Sequence, residues 1–361
     1  MQEEQERTPL LNTDGESIHN VVNETREKIN NILQLYRIVL PVYKQGETIG
    51  RTAEYLIENL KVPAENITAI SVTEDDENDH GNEIMKSFDI FPLLQEDVLN
   101  SCLDVPRFLD ILQAESLDQI RGKGLTMLAA YIQLQKEKHP ELFVAQIDSD
   151  ITNIGQEYDP IRYMAWAQKQ RPDLDAVKMA KNGRNNQPIL TFLNTLSIMG
   201  ENSKRYTQGL QYDRWLLTGE YGIKSKYINQ LVMATGYSIE MVLGMGQVER
   251  NLQRYQIEAV EPRIDGKNTN IKEGGGMYTD ICRTVYIIAQ QKKLLSEMGI
   301  GDITRINEDI IKRAGEEPIY AIHDPDTNPG PKALKNEKMI IEPSRLIPSI
   351  DVLRKEKVLK I

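Results

Sequence analysis

Two rhythms of apolar residues alternate along the first part of the chain. The runs "YRIVLPV" and "NITAISV" are short and β-branched and predict buried strands, and "FVAQIDSDITN" begins in the same way. Between the first two, "GETIGRTAEYLIENL" places Ile49, Ala53, Leu56 and Ile57 on one face of a predicted helix. Ahead of them, "SIHNVVNETREKINNILQLY" has helical spacing, with Val21, Ile29, Ile32 and Leu33 as its stripe, and residues 1–16 are polar and predicted to be disordered. A mainly helical insertion, "FPLLQEDVLNSCLDVPRFLDILQ", and the helix "RGKGLTMLAAYIQLQKE" precede the third strand. Strand and helix in alternation predict an α/β fold with a mostly parallel sheet. From about Glu261 the texture changes to "DGKNTNIKEGGG", two long helices and a Pro-rich tail. Three regions are therefore expected: residues 1–35 as tail and helix, 36–260 as the main domain, and 261–361 as a helical extension.

The 361 residues carry a net charge of −11, which argues against nucleic acid or an anionic membrane as the main partner. Small anionic ligands need only a local basic pocket and stay open. Two cysteines form no motif. The N-terminus is acidic and lacks an apolar signal core, and no apolar run reaches the roughly 18 residues of a membrane span. A cytoplasmic protein without a membrane span is expected.

The third strand ends in Asp148-Ser149-Asp150. Two carboxylates so close repel unless a cation lies between them. On a continuing strand, residues i and i+2 face one side, so both could meet one Mg²⁺ or Mn²⁺, ions that prefer oxygen ligands and pair with phosphates. A solvated acidic turn is the plain alternative. Upstream, "RGKG" opens a helix: its glycines allow close backbone approach to a ligand, and Lys123 supplies a cation at a helix N-terminus. Downstream, Glu220 in "LLTGEYGIKSKYI" and Glu240 in "TGYSIEMVLG" lie in Gly-bounded segments, where capping is the plain alternative. The dinucleotide and P-loop glycine fingerprints are absent.

Taken in order, "IVLPVYKQGETIG", "IRGKG", "VAQIDSDITN", "NGRNNQ", "LLTGEYGIKSKYI" and "TGYSIEMVLG" resemble glucosyl-3-phosphoglycerate synthases and the related glucosylglycerate synthases, over residues 37–260. These are retaining, metal-dependent glycosyltransferases of GT-A fold. The resemblance implies hexose transfer from a nucleoside-diphosphate sugar to 3-phosphoglycerate or glycerate. It places Pro41, Val42, Tyr43, Glu47 and the acidic turn at Asp76 on the nucleoside. Gly122, Lys123, Asp148, Ser149 and Asp150 fall on the rest of the donor. Arg184 and Asn185 fall on the acceptor with Thr218, Gly219, Glu220 and Tyr237. Leu217 would offer a backbone carbonyl beside the anomeric carbon, and Glu240 would touch donor sugar and acceptor.

The family's usual metal-ligating histidine is absent. Asp265 or Asn268 could stand in for it beside Asp148 and Asp150, or water could complete the shell. Lys44-Gln45 replaces the usual Asn-Glu, and the insertion at 89–118 is longer than the family norm. Other readings remain at this point: a same-fold transferase using GDP-mannose or another acceptor, or an inactive nucleotide-sugar-binding protein. A second copy of the chain is kept as a partner.

Overall fold

Strand β1 (Tyr36–Val42) lies near the middle of a seven-stranded sheet. Its residues Ile38, Val39, Leu40 and Val42 are all buried, which suits a strand covered on both faces. The computed structural model describes residues 26–43, 46, 48–75, 79–135, 143–181, 193, 196, 200–210, 217–259, 262–263, 276–314 and 342–361. β1 pairs in parallel with β2 (Ile67–Ser71) on one side and β4 (Phe143–Gln146) on the other. β3 (Leu93–Leu94) adds a short edge to β2. Beyond β4 come β6 (Tyr221–Lys224), β5 (Ala176–Lys181) and β8 (Arg254–Ala259).

The sheet is mixed, and the exception matters. β6 runs antiparallel to both β4 and β5, with Gln146 opposite Tyr221. An antiparallel strand begins where its neighbour ends, so the segment just before β6 arrives beside the residues just after β4. Gly222 makes the pairing close: a Cβ there would lie 2.0 Å from the Phe143 ring.

The sheet is flanked by α1 (Arg26–Leu33), α2 (Thr48–Glu54), α3 (Gly81–Lys86), α4 (Gln95–Cys102), α5 (Val105–Leu112), α6 (Lys123–Leu134) and α7 (Pro160–Gln170). Helices α8 (Glu201–Leu210), α9 (Ser225–Ile228), α10 (Ile239–Glu249), α11 (Gly276–Gln290), α12 (Ile300–Ala314) and α13 (Ile350–Lys355) follow. Helix α2 ends in a π turn over Tyr55–Asn59, so the face expected from Ile49 to Ile57 is carried by two kinds of helix. Val21 and the 1–16 tail lie outside the described residues.

The insertion and the C-terminal residues fold onto each other. Asp104 N–H donates to Val358 O and Lys360 N–H to Cys102 O, both at 2.8 Å. Buried Asn307 on α12 donates to Ile111 O and Leu346 O and accepts from Leu346 N–H. β9 (Leu346–Ile347) in turn pairs antiparallel with β7 (Met233–Ala234). One buried cluster contains Val39 and Ile70 of the sheet together with Phe108, Ile306, Leu346 and Leu359. Among the described residues no helix is long and apolar enough to cross a membrane.

Candidate functional site

The site forms at the C-terminal ends of β1 and β4, the edge of an open α/β sheet where ligands bind. β4 stops at Gln146, and Ile147 N–H makes the last bond across to Val39 O at 3.3 Å. The strand has ended there and the chain turns at Ser149-Asp150, so Asp148 and Asp150 stand in the loop after β4 and not on a continuing strand. Their placement comes from the fastening of that turn, not from strand alternation: Ser149 Oγ donates to Pro41 O at 2.8 Å. Val42 is buried, while Tyr43 is 47% exposed at the rim.

Lys123 opens α6, and the reason for its flanking glycines differs from the expectation. A Cβ on Gly124 would lie 1.6 Å from Ala234 O, and one on Gly122 would lie 2.9 Å from Thr235 O. The backbone they admit is that of β7 and its following residue, and Gly124 N–H donates to Thr235 O at 3.0 Å. This contact sets the start of α6 and aims Lys123.

The Lys123 ammonium lies 2.6 Å from Asp148 Oδ1 and 2.7 Å from Glu240 Oε1, on side chains that are all less than a quarter exposed. Burial works to lower the lysine's pKa, but the two carboxylates outweigh it and hold the group charged, above its ordinary value. Three segments distant in sequence thus meet through one cation. Beneath it the hydroxyls of Tyr131 and Tyr221 share a hydrogen bond. The Tyr221 hydroxyl is raised by burial first and by Tyr131 next, with the charges of Glu240 and Asp148 adding to both.

The segment before β6 presses on the same carboxylate. A Cβ on Gly219 would fall 1.8 Å from Asp148 Oδ2, so only glycine leaves Asp148 its place. Gln146 Nε2 donates to Gly219 O at 3.2 Å. Leu217 and Thr218 are buried, and Glu220 is fully buried, with Thr218 Oγ1 donating to its Oε2 at 3.1 Å. Burial first, and the Glu220 charge next, hold the Tyr158 hydroxyl's pKa well above its ordinary value. Glu220 therefore sits behind the site, while Glu240 sits in it. Tyr237 is half-buried; the pKa of its hydroxyl is raised by burial and the Asp280 charge, with Lys123 opposing and Tyr43 adding to the rise.

In the acidic turn, Asp75 accepts the N–H groups of Asn82 and Glu83, both at 2.8 Å, at the start of α3. Asp79 Oδ1 accepts from Gly46 and Gly81 N–H. These carboxylates satisfy backbone donors. Glu47, Asp76, Arg184, Asn185 and Asp265 lie outside the described residues.

Asp148 and Asp150 in one turn offer hard oxygen donors of the kind that Mg²⁺ or Mn²⁺ shares with a diphosphate. The donor set fits such an ion as two protein ligands; among the described residues no group of three or more His, Cys, Asp or Glu side chains could hold a metal.

Comparison with solved structures bears on the fold. The chain is similar to glucosyl-3-phosphoglycerate synthase from Mycobacterium tuberculosis, with a TM-score of 0.52 at 17% identity over 73% of this chain and 82% of that one. The same enzyme solved with Mn²⁺, UDP-glucose and phosphoglyceric acid gives a TM-score of 0.52 at 16% identity, over 71% of this chain and 79% of that one. The chain has a GT-A-like fold. The mycobacterial enzyme's complex with phosphoglyceric acid gives 0.51 at 17% identity, over 69% and 78%. No protein-family model and no curated protein sequence matches the chain. In the GT-A-like sheet, the turn after β4 and the segment before β6 occupy one edge, as described above.

Three residues around the site were not anticipated from the sequence. Tyr131 lies two helical turns beyond Lys123 on α6, and that spacing could have found it. Asp280 and Ser344, which touch the loop before α10, belong to segments with no motif at all.

Proposed function

We propose that the protein is a metal-dependent retaining glycosyltransferase that moves a hexose, glucose in the simplest case, from a nucleoside-diphosphate sugar to 3-phosphoglycerate or glycerate. The observation that carries this reading is Lys123 held between Asp148 and Glu240 at the ligand-binding edge of a GT-A-like sheet. The solved structures of similar fold were obtained with UDP-glucose, Mn²⁺ and phosphoglyceric acid, and that supports the choice of donor, ion and acceptor.

In this reading Tyr43 and the carbonyl edge of Pro41–Val42 receive the nucleoside. An ammonium has three N–H donors, of which two point at Asp148 and Glu240. The third serves a phosphate oxygen, which stabilises the diphosphate as it leaves. Asp148 and Asp150 would hold Mg²⁺ or Mn²⁺, which supplies further positive charge to that leaving group. Glu240 holds the hexose hydroxyls and the acceptor, with Tyr237 and Thr218 lining the space and the Leu217 carbonyl beside the anomeric carbon. Arg184 and Asn185 grip the acceptor's anionic end. No strong base is needed when the departing phosphate takes the acceptor's proton, so orientation and electrostatics supply most of the rate.

A thermal-shift screen of UDP-, GDP- and ADP-hexoses with and without Mg²⁺ or Mn²⁺ tests the donor half of the proposal. A ligand of the native state raises its melting temperature. One nucleotide sugar should do so in a metal-dependent way; no shift with any of them counts against the reading.

A further inference from the structure

Ser238 stands at the N-cap of α10, where a serine hydroxyl ordinarily accepts a backbone N–H of the first turn. Here it makes no such bond. The hydroxyl is fully buried and donates instead to Asp280 Oδ2 at 3.1 Å, with Thr284 Oγ1 also 3.1 Å away. Asp280, on α11 and 3% exposed, further accepts Ser344 N–H at 2.7 Å on Oδ1 and the Ser344 hydroxyl on Oδ2. Ser344 reaches back to the same loop: Ser238 N–H donates to its Oγ at 3.4 Å, and a Cβ on Gly236 would lie 2.4 Å from that oxygen. Thr235 and Arg345 complete the seam, Thr235 N–H donating to Arg345 O and Arg345 N–H to Thr235 Oγ1, both at 3.0 Å.

The loop so held has a short reach to the candidate site. Glu240, the second residue of α10, follows Ser238 by two positions and meets Lys123 at 2.7 Å. The start of α10 is thus fixed from outside the helix, by one carboxylate on α11 and one serine of the C-terminal segment. A buried carboxylate is costly unless hydrogen-bonded. Burial pushes the Asp280 pKa up, while its bonds from Ser344 and Ser238 and the nearby Arg283 pull it down.

We infer that Asp280 is a positioning residue for the site. Through Ser238 and Ser344 it holds Glu240 against Lys123, which makes residues 276–290 and 342–361 parts of the site's framework. Its value to catalysis rests on the proposed transfer reaction, but the positioning itself is open to a measurement that needs no substrate.

Acetylation of Lys123 by acetic anhydride near pH 8, read by peptide mass spectrometry, reports whether Glu240 still covers its amine. Lys224, paired with Asp175 at 3.2 Å at the far end of β6, is the internal reference. In Asp280→Asn, loosening of Glu240 should uncover the Lys123 amine and speed its labelling about tenfold, with Lys224 unchanged. Ser344→Ala, which keeps the carboxylate and removes one of its donors, should show the same selectivity to a smaller degree and serves if Asp280→Asn does not fold. Unchanged Lys123 labelling in the folded variants overturns the inference. So does a parallel rise at the reference Lys224, which marks general loosening. Failure of hexose transfer in the native protein, with selective labelling intact, would count against the reaction and not against Asp280.

Discussion

Lys123 and Asp148 are joined at 2.6 Å although one opens a helix and the other follows a strand. Glu240 shares the same ammonium at 2.7 Å. Removing the cation therefore leaves two carboxylates facing each other in a half-buried place. Lys123→Met should destabilise the fold by about 2 kcal/mol, less than the roughly 3–5 kcal/mol of a fully buried pair. Adding Asp148→Asn should recover part of that loss. Urea denaturation of the two variants checks both numbers.

The same cation has a pH signature. The folded protein raises the Lys123 pKa above 10.5, so its contribution to stability is full below that value and is lost as pH rises through the higher folded one. The stability difference between native protein and Lys123→Met should stay level to about pH 10 and shrink above it. A difference that shrinks between about pH 6 and 8, the range of a histidine, contradicts the assignment.

Two glycines should separate local from global effects. Gly219→Ala drives a Cβ into the Asp148 carboxylate, a side chain that can swing aside. Moving that carboxylate off Lys123 should cost about 1–3 kcal/mol and lower kcat about 100-fold, the effect of an ångström's misplacement. Gly124→Ala meets backbone at 1.6 Å and should cost more than about 3 kcal/mol in stability. Calorimetry of the pair distinguishes them.

Thiol chemistry offers a check on the C-terminal packing. Cys282 on α11 is 4% exposed, and burial, with the Asp280 charge adding, pushes its thiol up to about 12. At pH 8 only about one part in ten thousand is thiolate. It should react with a thiol reagent only on unfolding; fast labelling in the native state would mean that α11 is not seated as described.

Much of this was legible in the sequence, for reasons that can be named. Lys123, Asp148, Asp150 and Glu240 each lie at the end of a regular element with a local glycine or acidic pattern, and local patterns are what a sequence shows. The direction of β6 was not legible, because four residues of strand look alike either way round, and with it went the burial of Glu220. The glycines of "RGKG" were legible as close-approach residues, but the partner they approach, Ala234–Thr235, is set by tertiary packing. Asp280 and Ser344 are 64 residues apart and meet only through the fold.

The turn after β4 carries the metal proposal. Asp150 is buried, and Asp150→Asn, which keeps the shape of the side chain, should abolish metal-dependent donor binding while the protein stays folded, at a cost in stability of no more than about 1–3 kcal/mol. Isothermal titration of the donor with and without Mn²⁺ decides it; unchanged binding would remove Asp150 from the metal.

The most direct test of the central claim is hexose transfer itself. Purified protein with UDP-glucose, Mn²⁺ and 3-phosphoglycerate, followed by proton NMR of the anomeric signal, should yield an acceptor-dependent glucosylated product whose anomeric configuration matches that of the donor. An inverted product, or no transfer from any of the UDP-, GDP- and ADP-hexoses to either phosphoglycerate or glycerate, would contradict the account.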